Sequence, residues 1–216
     1  MDRFGLIGSG IAHSESPALF RKACSGRWEY DLLDFDDFSS AWDAFANGPY
    51  KAVNVTAPFK TQAAAAADIR AAEVERIGAA NILVKTPGGI LARNSDYLGL
   101  CALLREHGGL RDAAVIGLGG AGRAALAAAQ DCGLSVRCFH HDEIGGGVKA
   151  DLIIYTLPRF VPGADLLDCK VLLEANYKDP CLSSRPGYVG GRQWLLAQAR
   201  TGFPLMTGLW TDATES

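Results

Sequence analysis

Short apolar runs alternate along the chain with segments of helical apolar spacing, punctuated by glycine, proline and polar clusters. That alternation predicts βα units stacked into mainly parallel sheet. Phe4–Ile7 predicts a first strand, followed by a helix over Pro17–Cys24 with Ser16 as its cap and Pro17 in its first turn. Trp28–Phe35 predicts a second strand, Phe38–Phe45 a helix and Lys51–Thr56 a third strand. The alanine run within Thr61–Arg70 favours helix by intrinsic propensity. Ile82–Lys85, the turn Pro87-Gly88-Gly89 and Ile90–Ala92 predict a β-hairpin.

A second unit is expected after Asp96. It opens with a helix over Tyr97–Glu106 and a strand over Ala113–Ile116 that feeds the glycine-rich Gly117-Leu118-Gly119-Gly120-Ala121-Gly122. An alanine-rich helix over Arg123–Ala129 follows, then strands at Val136–Phe139, Leu152–Tyr155 and Val171–Glu174, and a closing helix over Arg192–Thr201. Gly145-Gly146-Gly147 falls where a longer helix would otherwise run, which predicts a shortened crossover between two strands.

With 216 residues, 49% of them hydrophobic and 21% charged, the chain can bury a core in one domain or two small ones. A net charge of -3 without any Lys/Arg run excludes the basic stripe that nucleic acid demands. The six cysteines form no CxxC or His/Cys cluster, so reduced thiols are expected rather than a metal site or a disulfide scaffold. The first residues are too polar for a signal peptide, and no segment approaches the roughly 18 apolar residues of a membrane span. A cytoplasmic protein without membrane partners is expected.

Candidate chemistry begins at the glycine loop. Gly117, Gly119 and Gly122 match GxGxxG between a predicted strand and a predicted helix, the context in which backbone N–H groups and a helix N-terminus receive a pyrophosphate. A cofactor ribose would then meet the end of the next strand, at His140-His141-Asp142. Asp142 would accept from a free 2'-hydroxyl, as in NAD; protonated histidines or Arg137 would hold a 2'-phosphate.

Lys60, just beyond the turn in Asn54-Val55-Thr56-Ala57-Pro58-Phe59-Lys60, and Asp96, in Asn94-Ser95-Asp96, are the candidate catalytic pair. Reducing a ketone leaves an alkoxide that needs a proton, and the reverse reaction needs a base. Thr56, Asn81, Asp96 and Gln198 carry the donors and acceptors that read hydroxyl groups. Ser14 and Ser16, on the loop after the first strand, can donate to a carboxylate; His13 beside them is assigned a packed structural role.

Ile11-Ala12-His13-Ser14-Glu15-Ser16-Pro17, Asn54 to Lys60, Ala79-Ala80-Asn81, Asn94-Ser95-Asp96, the Gly117 loop and Ala197-Gln198-Ala199 follow one another as in the shikimate dehydrogenase family, which the chain resembles over most of its length. The resemblance implies an α/β protein with a mainly parallel-sheet substrate domain, residues 1–96 with 191–216, and a shortened Rossmann-type dinucleotide domain, residues 97–190. It implies reversible NADP(H)-dependent reduction of 3-dehydroshikimate to shikimate, a small-molecule substrate, and a monomer or homodimer. Lys60 and Asp96 would be catalytic; Ser14, Ser16, Thr56, Asn81, Asp96, Tyr177 and Gln198 would hold substrate; Gly117, Gly119, Gly120, Ala121, Gly122, His140, Asp142 and Thr156 would hold cofactor. Departures gather on the cofactor side: His140-His141-Asp142 replaces an Asn-Arg-Thr run, Tyr155-Thr156-Leu157 an Asn-Ala-Thr stretch and Trp194 a methionine, while Gly10 stands where proline is usual. Open beside this are a shikimate-binding or regulatory protein with impaired cofactor use, and an NAD-dependent quinate/shikimate dehydrogenase.

Overall fold

The computed structural model describes residues 2–209, and they divide into two compact units. One runs from the N-terminus to Ser95 and takes up the chain again from Ala199; the other is Asp96–Gln198.

In the first unit, β1 (Arg3–Gly8), α1 (Ser16–Ala23), β2 (Glu29–Asp34), α2 (Phe38–Ala46) and β3 (Tyr50–Val55) form a parallel core with β1 between β2 and β3. Phe4–Gly8 are all buried because both faces of this central strand are covered. Ile7, Val53 and Val55 pack on Phe45, Phe59 and Ala63 on one face. On the other, Phe4 and Phe20 meet Phe203 and Met206, each such buried side chain contributing about 1.5–3 kcal/mol. After β3 come α3 (Lys60–Ala66), β4 (Ile69–Arg70), α4 (Ala72–Ile77) and the antiparallel hairpin of β5 (Ile82–Thr86) and β6 (Gly89–Arg93), giving the sheet order β2-β1-β3-β5-β6-β4.

The second unit contains α5 (Ser95–Glu106), β7 (Asp112–Ile116), α6 (Gly120–Asp131), β8 (Ser135–Phe139), β9 (Val148–Tyr155), β10 (Leu167–Glu174), β11 (Tyr188–Val189) and the first part of α7 (Gly191–Thr207). Its strands are all parallel, in the order β11-β10-β9-β7-β8. The chain steps from β7 outward to β8 and then back to the other side of β7 with β9, so the order reverses beside β7; in such sheets ligands bind outside the carboxyl ends of the strands at that reversal. No helix joins β8 to β9: residues 140–147 cross as a turn, with Ile144 buried beneath them. The α/β class and the shortened crossover are therefore as expected.

Three local expectations are corrected. The helix expected over Thr61–Arg70 stops at Ala66, because Ile69 and Arg70 pair with Leu91 and Ala92 as β4 and Asp68 accepts the Ile90 N–H at 2.7 Å. α4 then follows unannounced, its cap position being Ala71 with no side-chain bond. Ser16 does not cap α1: Glu15 holds the cap position and Ser16 is already helical, its N–H donating to Ser14 Oγ at 3.2 Å. His13 is exposed rather than packed.

Candidate active site

In the first unit, β1, β3 and β5 bring their chemistry to one end of the sheet. A Cβ on Gly8 would lie 2.4 Å from Thr56 Cγ2, so the loops that follow β1 and β3 touch, and Ser9 N–H donates to Ala57 O at 3.3 Å. The first loop carries Ser14 and leads into Ser16 at the start of α1, and the second carries Thr56 and leads into Lys60, which opens α3. Asp34 anchors the first loop by accepting the N–H groups of Gly10 at 2.8 Å and Ile11 at 3.1 Å. This explains the glycine at position 10: proline lacks that N–H and cannot adopt the φ of +67° found there.

Asn81 enters the same end just before β5. Its main-chain carbonyl accepts Val55 N–H at 2.8 Å, and the neighbouring Ala80 N–H donates to Lys60 O at 2.9 Å. The Asn81 side chain is 3% exposed; its Oδ1 accepts Ser95 N–H at 2.7 Å and its Nδ2 donates to Ser95 Oγ at 3.1 Å. Asn81 thus fixes the residue that precedes Asp96, a task beyond the hydroxyl-reading role expected of it. Buried Asn94 adds a bond from Nδ2 to Ala79 O at 2.8 Å.

Behind the serines runs a chain of hydrogen bonds that the sequence did not reveal. The Tyr30 hydroxyl donates to Asn54 Oδ1 at 2.7 Å, and Asn54 Nδ2 donates to Asn81 O at 3.3 Å. Burial pushes the Tyr30 phenol far up, so it stays a neutral donor. The one available signal was Asn54 itself, a polar residue inside an apolar strand.

In the second unit, Gly117 leaves β7 at a φ of +89°, outside the range of ordinary side chains. A Cβ on Gly122 would lie 1.9 Å from Gly117 O, whereas one on Gly119 would meet nothing within 4 Å. Two glycines therefore close the turn and the third leaves its outer side open, in front of a 12-residue helix whose cap position, Gly119, has no side-chain bond. This cradle fits a pyrophosphate, with Gly120 and Ala121 supplying first-turn N–H groups. Thr156 Oγ1 donates to Ile116 O at 2.9 Å and Gly117 O at 3.1 Å, so it holds the turn from behind.

His140, His141 and Asp142 are exposed beyond β8, where the His140 N–H donates to Glu143 Oε2 at 2.6 Å. Tyr177 lies half-buried after β10 in a loop shaped by Asn176, whose Nδ2 donates to Asp179 O at 2.7 Å. Two of the positions that depart from the family pattern on the cofactor side are buried. Tyr155 is 0% exposed with its hydroxyl donating to Arg159 O at 2.7 Å, and Trp194 is 5% exposed with its indole N–H on Asp96 O at 2.9 Å.

Asp96 sits in the first turn of α5, 6% exposed. One turn on, a Cβ at Gly99 would lie 2.4 Å from Gln198 N, so α5 and α7 touch through that glycine and Gln198 lies against the helix that carries Asp96. Fully buried Glu174, also missed in the sequence, accepts the N–H groups of Cys181 at 2.8 Å and Leu182 at 3.2 Å and so ties down the chain after Tyr177. Burial, then the Glu174 hydrogen bond, pushes the Cys181 thiol up to about 11; burial pushes Cys101 up to about 11. At about pH 8 both should alkylate on the order of a hundredfold more slowly than an exposed thiol. Peptide mapping after a timed iodoacetamide pulse checks this, and prompt labelling of either in the folded protein would contradict it. Among the described residues no His/Cys/Asp/Glu cluster could hold a metal ion, and no helix is long and apolar enough to cross a membrane.

Residues 6–83 match the shikimate dehydrogenase substrate binding domain, a stretch that includes Ser14, Ser16, Thr56, Lys60 and Asn81. Over these residues the chain is similar to the shikimate dehydrogenase family. It is 36% identical over 173 residues to the shikimate dehydrogenase (NADP(+)) of Acidiphilium cryptum, covering 76% of this chain and 63% of that one. It is 39% identical over 137 residues to the enzyme of the same name from Aeromonas salmonicida, covering 59% and 50%. The chain thus spans between half and two thirds of the length of these curated relatives. The crystal structure of the Thermus thermophilus shikimate 5-dehydrogenase in complex with NADP(H) and shikimate superposes with a TM-score of 0.82 at 25% identity, over 98% of this chain and 95% of that one. The Mycobacterium tuberculosis shikimate dehydrogenase gives 0.72 at 26% identity, over 97% and 94%.

Proposed function

We propose that this chain is a shikimate dehydrogenase family member and catalyses the reversible NADP(H)-dependent reduction of 3-dehydroshikimate to shikimate. The observation that carries the proposal is the match of residues 6–83 to the family's substrate-binding domain. The first unit is then the substrate domain and the second the dinucleotide domain. Bound dinucleotide supplies hydride to the substrate ketone, or takes it back from the alcohol.

The chain's own groups handle protons and orientation. The Lys60 ammonium gives a proton to the oxygen that becomes the alcohol and removes it in the reverse direction, with the Asp96 carboxylate as its partner. Thr56, Asn81, Asp96 and Gln198 read the ring hydroxyls, while Ser14, Ser16 and Tyr177 meet the ring carboxylate. Gly117 to Gly122 receive the pyrophosphate, with His140 and Asp142 near the adenosine ribose and Thr156 holding the glycine turn. Tyr155 and Trp194 are both buried, with Tyr155 donating to Arg159 O and Trp194 to Asp96 O.

Calorimetric titration with shikimate, NADP and NAD in turn tests the proposal. Saturable binding of shikimate and tighter binding of NADP than NAD are expected. Shikimate binding with neither dinucleotide bound would replace the enzyme with a binding protein, and NAD alone would move the cofactor assignment.

A further inference from the structure

We propose that Trp194 is a positioning residue for Asp96, a role resting on the catalytic assignment of Asp96 above. Trp194 lies on α7 one turn before Gln198, and Asp96 lies on α5 one turn before Gly99. The two helices meet where a Cβ on Gly99 would stand 2.4 Å from Gln198 N and 2.7 Å from its Cα, closer than any side chain permits. Into that contact Trp194 projects its indole, 5% exposed, and donates Nε1–H to the main-chain oxygen of Asp96 at 2.9 Å, across 98 residues of sequence.

A carbonyl in the first turn of a helix has a second lone pair beyond its helical partner, and the indole N–H uses it. Its bulk cannot slide, because Leu100, Leu104, Leu173 and the alanines of α6 pack in the same cluster. The bond therefore ties the main chain of Asp96 to a rigid ring on the helix that also carries Gln198. Two substrate-facing side chains are set by one helix contact. A carboxylate that must meet a substrate hydroxyl within hydrogen-bond reach loses rate steeply when displaced by even about 1 Å.

Trp194→Phe keeps a buried ring while removing the donor and one ring of the indole, and a thermal melt reads the packing cost separately. The expected result is a kcat about tenfold lower with the KM for the dinucleotide within about twofold of wild type. A kcat equal to wild type with only a lowered melting temperature would reduce Trp194 to core packing and overturn the proposal. A raised dinucleotide KM with kcat unchanged would make it a cofactor-wall residue and overturn it equally. A second measurement needs no turnover. In 15N-tryptophan-labelled protein, the Trp194 indole resonance, assigned by its loss in Trp194→Phe, should shift on adding shikimate alone and hold still on adding NADP alone; the reverse pattern would refute the proposal. Wild-type protein without turnover would sink the enzymatic reading instead, leaving the indole titration to decide the positioning role by itself.

Discussion

Lys60→Ala is expected to lower kcat about a thousandfold, inside the roughly 10²–10⁴ that a positioned proton donor contributes and equivalent to about 4 kcal/mol of barrier. The KM for shikimate should change by less than about tenfold, because the proton is required at the transition state rather than for binding. The fold should survive. Lys60 is half-buried at the start of α3, its structural hydrogen bond with Ala80 uses the main-chain oxygen, and alanine favours helix. Steady-state kinetics with shikimate varied at saturating dinucleotide gives both constants, and a thermal melt guards against a folding artefact. A mutant as fast as wild type would remove Lys60 from the chemistry.

Gly122→Ala is the second large effect, and it acts on the turn itself. The added methyl carbon would lie 1.9 Å from Gly117 O and 2.8 Å from Gly117 C, both main-chain atoms, with Thr156 Oγ1 at 3.1 Å behind them. Relief requires the turn to open, breaking the Thr156 bonds. Overpacking of this kind costs about 1–3 kcal/mol, which for a chain of this size lowers the melting temperature by roughly 3–10 °C. Dinucleotide affinity should fall at least about a hundredfold, because the N–H groups of the first turn of α6 lose their common aim. Gly119→Ala makes the contrast: its methyl meets no atom within 4 Å, so stability should hold while the methyl narrows the cradle and weakens dinucleotide binding. Calorimetry and thermal melts on the two variants check this, and equal affinities in both and in wild type would place the cofactor elsewhere.

Much of this architecture could be read from residue order because its signals are local. β1, β3, β7 and β9 announce themselves as apolar runs, the hairpin of β5 and β6 by its Pro87-Gly88-Gly89 turn, and the turn from β7 into α6 by three glycines after a strand. Expectation failed where distant residues decide. Alanine propensity carried the helix past Ala66, but Ile69 and Arg70 satisfy their main chain against β6 instead, a pairing no local pattern encodes. Ser16 looked like a cap by type and place, yet Glu15 takes the cap position and the Ser16 N–H goes to Ser14 Oγ.

The site divides along the same line. Lys60, Asp96 and Asn81 stood out through their motifs, whereas their supports did not. Tyr30, Ser95, Glu174 and Trp194 work through contacts spanning from 7 to 98 residues. Trp194 is such a case: its place in the sequence suggested an altered nicotinamide wall, and its bond to Asp96, 98 residues away, shows only in the folded chain.

The central proposal is that this chain turns over shikimate. The most direct measurement is the absorbance of reduced nicotinamide on mixing the protein with saturating shikimate and NADP, repeated with NAD. A steady rise with NADP that Lys60→Ala abolishes is the expected result; a flat trace with both cofactors, from protein that melts cooperatively, would contradict the account.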